Sequence, residues 1–147
     1  MKRMYKILAL CLVIMTSYTT QSQVVISNRQ AYFNKYAEKL PTPESELEKA
    51  FTAKEGAKVK INFADFSFNG IVTSSIKRYD NLYSVIVKAP GLNNTLFSVS
   101  KIINADKTVS YVGRIINEKY SDGYQLRKEN GRYAMNKVRT DALIEDY

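Results

Sequence analysis

The 147-residue sequence predicts an α+β fold that is mostly antiparallel β. About seven strands form a meander curled into a bent sheet or partial barrel, with one or two N-terminal helices covering it. Three observations carry this reading. Near Gly56 the spacing of apolar residues changes from 3.6 to 2. The breaks between the later apolar runs are short, whereas a parallel return needs a crossover of a dozen residues or more. Each run is also largely apolar on one side only, and a flat open sheet would leave that side in water, so a twisted meander curls to bury it. Two packed sheets are the alternative closure.

The elements follow in chain order. MKRMYK gives a positive start, residues 7–15 an uninterrupted apolar run, and TSYTTQS a small polar end. These are the three parts of a secretory signal peptide spanning 1–22, with Thr20 and Ser22 at the cleavage site and Gln23 as the first mature residue. Nine apolar residues fall short of the ~20 a membrane-spanning helix needs, so no integral membrane segment is expected after cleavage. Lipidation at Cys11 is the lesser reading, because only residues 7–10 precede it as apolar sequence and Leu10 is bulky where a small residue is needed. Residues 23–55 then form an N-terminal helical segment. In 28–40 (NRQAYFNKYAEKL), Tyr32, Phe33, Tyr36 and Leu40 recur at helical spacing behind Asn28 as cap. Pro41 ends that helix, and Thr42-Pro43-Glu44 starts another, with Leu47, Ala50 and Phe51 as its buried stripe and Gly56 as its end.

The region 56–147 is the antiparallel β part of the same single domain. Lys58-Val59-Lys60-Ile61-Asn62-Phe63 alternates fully. Phe66, Phe68, Gly70 and Val72 repeat the pattern, with Gly70 marking a bulge or a close backbone approach. Tyr83, Val85 and Val87 form a third strand and Phe97 and Val99 a fourth. A hairpin loop at 104–107 leads into a fifth strand, 108–117. Asp122-Gly123 and Asn130-Gly131 are read as turns around the last two strands, 124–128 and 132–138. The tail 140–147 reads as a short helical turn pinned by Leu143 and Ile144.

Composition narrows the chemistry. The only cysteine, Cys11, leaves with the leader, and the chain has no histidine. The mature protein therefore has no disulfide, no Cys-His or Ser-His catalytic pair and none of the usual zinc or copper ligands. Calcium needs only oxygen ligands, but no D-x-D-x-D-G loop is present. No phosphate-cradling glycine loop occurs either, so no cofactor is expected. Lys2, Arg3 and Lys6 belong to the leader, leaving 19 basic against 14 acidic residues, or +5. The basic residues recur singly or in pairs along strands, the distribution of a solvated sheet face, and no nucleic-acid partner is expected. Asp65, Asp80, Glu118 and Asp122 are the acids available for paired-carboxylate hydrolysis, yet all lie beside loop residues, where acids ordinarily form turns. Lys88, Arg114 or Tyr124 would need strongly shifted pKa values to move protons. The reading is that the protein is not an enzyme.

FSFNGIV (66–72), GRII (113–116), SDGYQL (121–126) and NGRY (130–133) together resemble a module of small exported Bacteroidetes proteins of unknown function. Their rhythm of G-x-I, Y-x-L and G-x-Y is also loosely similar to the propeptides of secreted reprolysin-like metalloproteases, which cover a catalytic domain before activation. The resemblance implies a stand-alone inhibitor of a secreted protease. In departure from that pattern, the chain has no H-E-x-x-H motif and no cysteine beyond the leader.

The functional expectation is an exported, periplasmic or extracellular, non-enzymatic binding domain for an unknown protein or small-molecule partner. A propeptide-like inhibitor is one alternative, and a small-molecule carrier using a barrel interior is another. Nine tyrosines follow the leader and no tryptophan does. Tyrosine supplies amphipathic contact area at low entropic cost, so Tyr111, Tyr120, Tyr124 and Tyr133, with Arg114, Arg127 and Arg132, form a candidate recognition patch if they share an exposed face. The competing reading is that strand tyrosines pair only to stabilise the sheet.

Overall fold

The computed structural model describes residues 29–64 and 66–140. The leader, Cys11, Asn28, Asp65 and the tail with Leu143 and Ile144 lie outside the described residues.

Eight antiparallel strands form one sheet in the order β1-β8-β7-β6-β5-β4-β3-β2, curled into a half-barrel. They are β1 (Lys39–Pro41), β2 (Lys58–Phe63), β3 (Phe66–Tyr79), β4 (Leu82–Ala89), β5 (Thr95–Ile103), β6 (Val109–Ile116), β7 (Asp122–Glu129) and β8 (Arg132–Arg139). Strands β2 to β8 are the seven that the two-residue period predicts. One α-helix, α1 (Glu44–Thr52), and one short 3-10 helix (Pro90–Leu92) are present among the described residues.

Alternation places Ile61, Phe63, Phe66, Phe68, Val85, Val87, Phe97, Val99, Ile115, Tyr124 and Met135 on the concave face, all buried. Their rings meet edge to face, Phe63 with Phe97 at 5.4 Å and Phe68 with Phe97 at 5.9 Å between centroids. Helix α1 adds Leu47 and Ala50, both fully buried, and the half-buried Phe51. Its Glu46 carboxylate accepts bonds from Lys49 Nζ at 2.7 Å and from the Asn62 backbone N–H at 2.8 Å, tying the helix to the outer edge of β2. Those two hydrogen bonds, Lys49 first, hold Glu46 below the usual carboxylate range.

Residues 28–40 were expected to be helical, and here the structure differs. Residues 29–38 are irregular and β1 follows, pairing Leu40 with Met135. The cause is competition for backbone groups. Asp122 accepts the N–H groups of Tyr32 and Phe33 at 2.6 and 2.8 Å. Tyr124 donates its hydroxyl to Ala37 O, and Lys137 Nζ donates to Tyr36 O, both at 2.8 Å. With those groups held by the sheet, the helical spacing of Phe33 and Leu40 serves an extended arm whose apolar residues reach the same core. Thr42, expected to cap the second helix, instead donates its hydroxyl to Leu40 O.

Turn chemistry is half as expected. Asn130 and Gly131 have φ of 50° and 76° and join Glu129 to Arg132, as a two-residue hairpin turn requires. Asp122-Gly123 is not a turn: both are the first residues of β7, and the chain reverses at 117–121, where Tyr120 N donates to Asn117 O. Gly123 is needed for proximity, because a Cβ there would sit 2.5 Å from Ile115 O. Gly70 marks the close approach its position implied. A Cβ would lie 2.6 Å from Val87 Cγ1 and 2.7 Å from Lys88 O, next to a bulge between Val72 and Ser74. Backbone carbonyls cannot swing aside, so Gly70→Ala is expected to cost about 1–3 kcal/mol in urea unfolding. A loss below 0.5 kcal/mol would show that β3 and β4 are not held this close.

Strands β6 and β7 pair only through Arg114 with Gln125 and Ile115 with Tyr124. The Tyr111 N–H donates to the Tyr133 hydroxyl at 2.9 Å, so a β8 side chain satisfies a buried donor of β6.

Candidate functional site

Register builds a distinct surface on the convex face. One cross-strand row runs Ser74, Ile86, Ser98, Arg114, Gln125, and the next runs Ile76, Ser84, Ser100, Val112. Serines at the centre of both rows are too short to fill the space between the larger Ile86, Val112 and Arg114. The result is a groove of about 570 Å³ across β4, β5 and β6, reached at one end by Arg78 and at the other by Gln125.

Its lining is rich in donors. Ser84 and Ser100 hydroxyls lie 2.8 Å apart, sharing one hydrogen bond and leaving the other O–H for a ligand. Gln125 Oε1 accepts from Arg127 Nε and Nη2 at 3.2 and 2.9 Å, so the amide NH2 is the end that Gln125 offers. Two guanidiniums line the groove and no carboxylate among the described residues does. Val112, 52% exposed, supplies an apolar shelf. The Ser-x-Ser alternation at 98–100 is the sequence signal for this groove. It carries no meaning until the register sets it beside Ser84.

A second polar cluster sits between α1 and the sheet. Lys101 Nζ donates to Glu48 Oε1 at 2.6 Å, and the Tyr111 hydroxyl donates to the same oxygen. Burial works to raise Glu48, but the bonds from Lys101 and Tyr111 outweigh it, and its pKa lies below the ordinary 4.5. Tyr111 moves the other way, raised well above 10 by burial first and by Glu48 second. A hydroxyl so firmly protonated is a hydrogen-bond donor at neutral pH, and the cluster braces helix against sheet. Glu48→Gln is accordingly expected to cost about 1 kcal/mol near pH 7. Because the folded-state pKa is depressed, the wild-type advantage is full above 4.5 and closes as pH falls through the lower folded value. Urea midpoints of both proteins between pH 7 and pH 3 check this, and a constant gap across that range would rule it out.

The recognition patch expected from the tyrosines is not one surface. Tyr111, Tyr124 and Tyr133 are 5%, 0% and 4% exposed, because each falls on the concave side of its strand. Tyr120 lies in the loop before β7, stacked on Tyr32 at 4.6 Å and accepting a hydrogen bond from Asn93. Of the arginines, Arg114 lines the convex groove, Arg127 lies beside it orienting Gln125, and Arg132 sits at the β7–β8 hairpin next to Asn130. The structure thus brings together Arg114 and Arg127 and separates both from the tyrosines.

The three candidate acids among the described residues are apart as well. Asp80 pairs with Lys77 at 2.9 Å at a hairpin tip, Glu118 is exposed in the 117–121 loop, and Asp122 is buried against the arm. Among the described residues no group of three or more His, Cys, Asp or Glu is placed to hold a metal ion. No helix among them is long and apolar enough to cross a membrane.

No protein-family model, curated protein or solved structure matches this chain.

Proposed function

We propose that the protein is an exported, non-enzymatic binding domain that presents the convex groove to a protein or small-molecule partner in the periplasm or outside the cell. The observation that carries this reading is the groove's floor of serine hydroxyls and the Gln125 amide, set on the face opposite a core already filled by side chains. A built depression with convergent polar groups is the usual form of a binding surface. The carrier alternative has less support, since the rings of Phe63, Phe66, Phe68 and Phe97 occupy the interior a carrier would keep open.

Export and binding are tested separately. Sequencing the N-terminus of protein recovered from the periplasm and culture fluid is expected to read from Gln23; an uncut chain confined to the cytosol overturns the export reading. For the groove, Ser98→Leu is expected to abolish capture of whichever soluble ligand the wild type retains while leaving the unfolding free energy within ~0.5 kcal/mol of wild type, the usual range for a surface substitution.

One feature favours the inhibitor as a second reading. Strand β3 runs on to Tyr79, whereas β2 pairs with it only as far as Ile71, so the outer edge of β3 beyond β2 has no strand partner among the described residues and carries Ile76 and Tyr79, 49% and 70% exposed. An open strand edge with exposed apolar side chains is a surface that an extended cleft can pair with. Addition of the protein at micromolar concentration to secreted proteases of the same organism is expected to slow one of them, and unchanged rates throughout would remove this reading.

A further inference from the structure

We propose that the end of the convex face beside the Pro90–Leu92 turn docks on an anionic lipid surface, with Lys58, Lys60 and Lys88 at the headgroups and Ile71, Leu96 and Ile116 against the apolar boundary beneath them. Strands β2 to β6 contain no Asp or Glu at any position, so every acid that offsets their basic residues must come from elsewhere in the fold. Which lysines receive one depends on the face. Lys77 and Lys101, in register with Tyr83 and Tyr111 on the concave side, pair with Asp80 and Glu48. Lys58, Lys60 and Lys88 are exposed on the convex side and form no ion pair among the described residues. Arg114, which is engaged by a partner of its own, takes no part.

Register sets these lysines among aliphatic side chains. One row crosses the face as Lys58, Ile71, Lys88, Leu96 and Ile116, with Lys60 two positions along β2 from Lys58. Open depressions of about 430 Å³ beside Lys60 and Pro90 and about 250 Å³ between Lys88 and Ile116 lie at the two ends of the turn. The row adjoins the groove without sharing a lining residue with it. At its border Glu118 and Lys119 stand side by side and offset each other. A convex surface cannot enclose a small ligand, but it can settle into a deformable layer. Ammonium groups reach phosphates while their methylene stems stay with the aliphatic side chains, and each lysine near an anionic bilayer contributes about fivefold in affinity. A nucleic-acid backbone would satisfy the lysines yet press Ile71, Leu96 and Ile116 against phosphates, so a lipid interface is the partner that matches both halves of the row.

The test is flotation of the mature chain from Gln23, which lacks the basic leader, with vesicles of phosphatidylcholine alone and of phosphatidylcholine mixed with phosphatidylglycerol. The protein is expected to float with the mixed vesicles only and to detach as salt rises. The triple variant Lys58→Gln/Lys60→Gln/Lys88→Gln is expected to bind about a hundredfold more weakly. Lys35→Gln/Lys107→Gln/Arg132→Gln removes the same charge from exposed positions elsewhere and is expected to cost less than about fivefold. Leu96→Gln is expected to weaken binding about tenfold with the salt dependence kept. Thermal unfolding confirms that each variant folds. Equal flotation with both vesicle types, flotation with neither, or equal losses in the two triple variants overturns the docking surface. A duplex oligonucleotide that displaces the vesicles, loses affinity in the Lys58 triple variant and is unaffected by Leu96→Gln overturns the lipid assignment. Ser98→Leu, which fills the neighbouring groove, is expected to float as the wild type does, so the groove and the lipid surface stand or fall separately; its failure to float overturns this placement.

Discussion

Phe66→Ala is expected to lower stability by about 4 kcal/mol, the largest loss of any single substitution considered for this chain. Phe66 is 2% exposed, and its ring lies 4.7 Å from that of Tyr36, 6.0 Å from Phe33, 6.1 Å from Phe63 and 6.5 Å from Phe68. It is the ring at which the N-terminal arm meets the sheet. Cavity collapse would reduce the cost, but here it is opposed from both sides. Phe63 and Phe68 are fixed by the β2–β3 ladder, and Phe33 is held by the Asp122 carboxylate on its own backbone N–H. No cysteine follows Cys11, so no disulfide limits the unfolded chain. Small domains have only about 5–15 kcal/mol in all, and this one change removes a large fraction. Urea unfolding of Phe66→Ala and Phe66→Leu checks the claim: the leucine variant is expected to lose roughly 1–1.5 kcal/mol. An alanine variant within 1 kcal/mol of wild type would mean that the ring cluster does not organise the core.

The β part of this fold is legible because alternation is a strong local signal and because short links leave antiparallel pairing as the only geometry. Lys58 to Phe63 states which side faces inward without reference to any other residue, and the same holds for the strands after it. Curling follows from the one-sided apolar pattern. What local pattern does not carry is competition for the backbone. Tyr32, Phe33, Tyr36 and Leu40 have helical spacing, yet the groups that would close the helix are bound by Asp122, Tyr124 and Lys137, some ninety to a hundred positions away. The same long-range bond explains why Asp122-Gly123 looks like a turn and is a strand: its acid is used by the arm and its glycine by Ile115 O.

Which face a residue takes decides the fate of the tyrosine patch. Tyr111, Tyr124 and Tyr133 fall on the core side, and each hydroxyl finds a partner at the edge of that core, Glu48, Ala37 O and the Tyr111 N–H respectively. Buried tyrosine needs such a partner, so a tyrosine-rich sheet end serves structure as readily as recognition. The Ser-x-Ser alternation at 98–100 is a sign of the groove only once the strands are paired. Ser84, Ser98 and Ser100 are ordinary half-buried strand residues until β4 and β5 are set in register, and a groove made of what is missing from a face exists only between strands.

Asp122→Ala is expected to cost about 3 kcal/mol and to release the arm before the sheet unfolds. The carboxylate accepts two backbone N–H groups, from Tyr32 through one oxygen and from Phe33 through the other, at a site only 7% exposed. Hydrogen bonds to a charged acceptor contribute about 1.5–3 kcal/mol each, and alanine leaves the buried Phe33 donor unpaired. Asparagine separates charge from geometry. Its single carbonyl oxygen can replace one bond while its NH2 faces a donor in place of the other, so Asp122→Asn is expected to recover less than half of the loss. Other ties of the arm include the Tyr124 hydroxyl to Ala37 O, Lys137 Nζ to Tyr36 O, Lys137 N–H to Glu38 O, Ser121 N–H to Gln30 O and the stacking of Tyr32 on Tyr120. These partners lie within a few residues of Asp122 or its β8 neighbour, and the ties are expected to loosen together. Amide hydrogen exchange reads the distinction directly. Protection should fall at residues 32–38 in the alanine variant and stay near wild type in β4 and β5, where the ladder is intact. Uniform loss of protection across the sheet would show instead that the arm is inseparable from the half-barrel, and unchanged protection at 32–38 would show that Asp122 does not hold it.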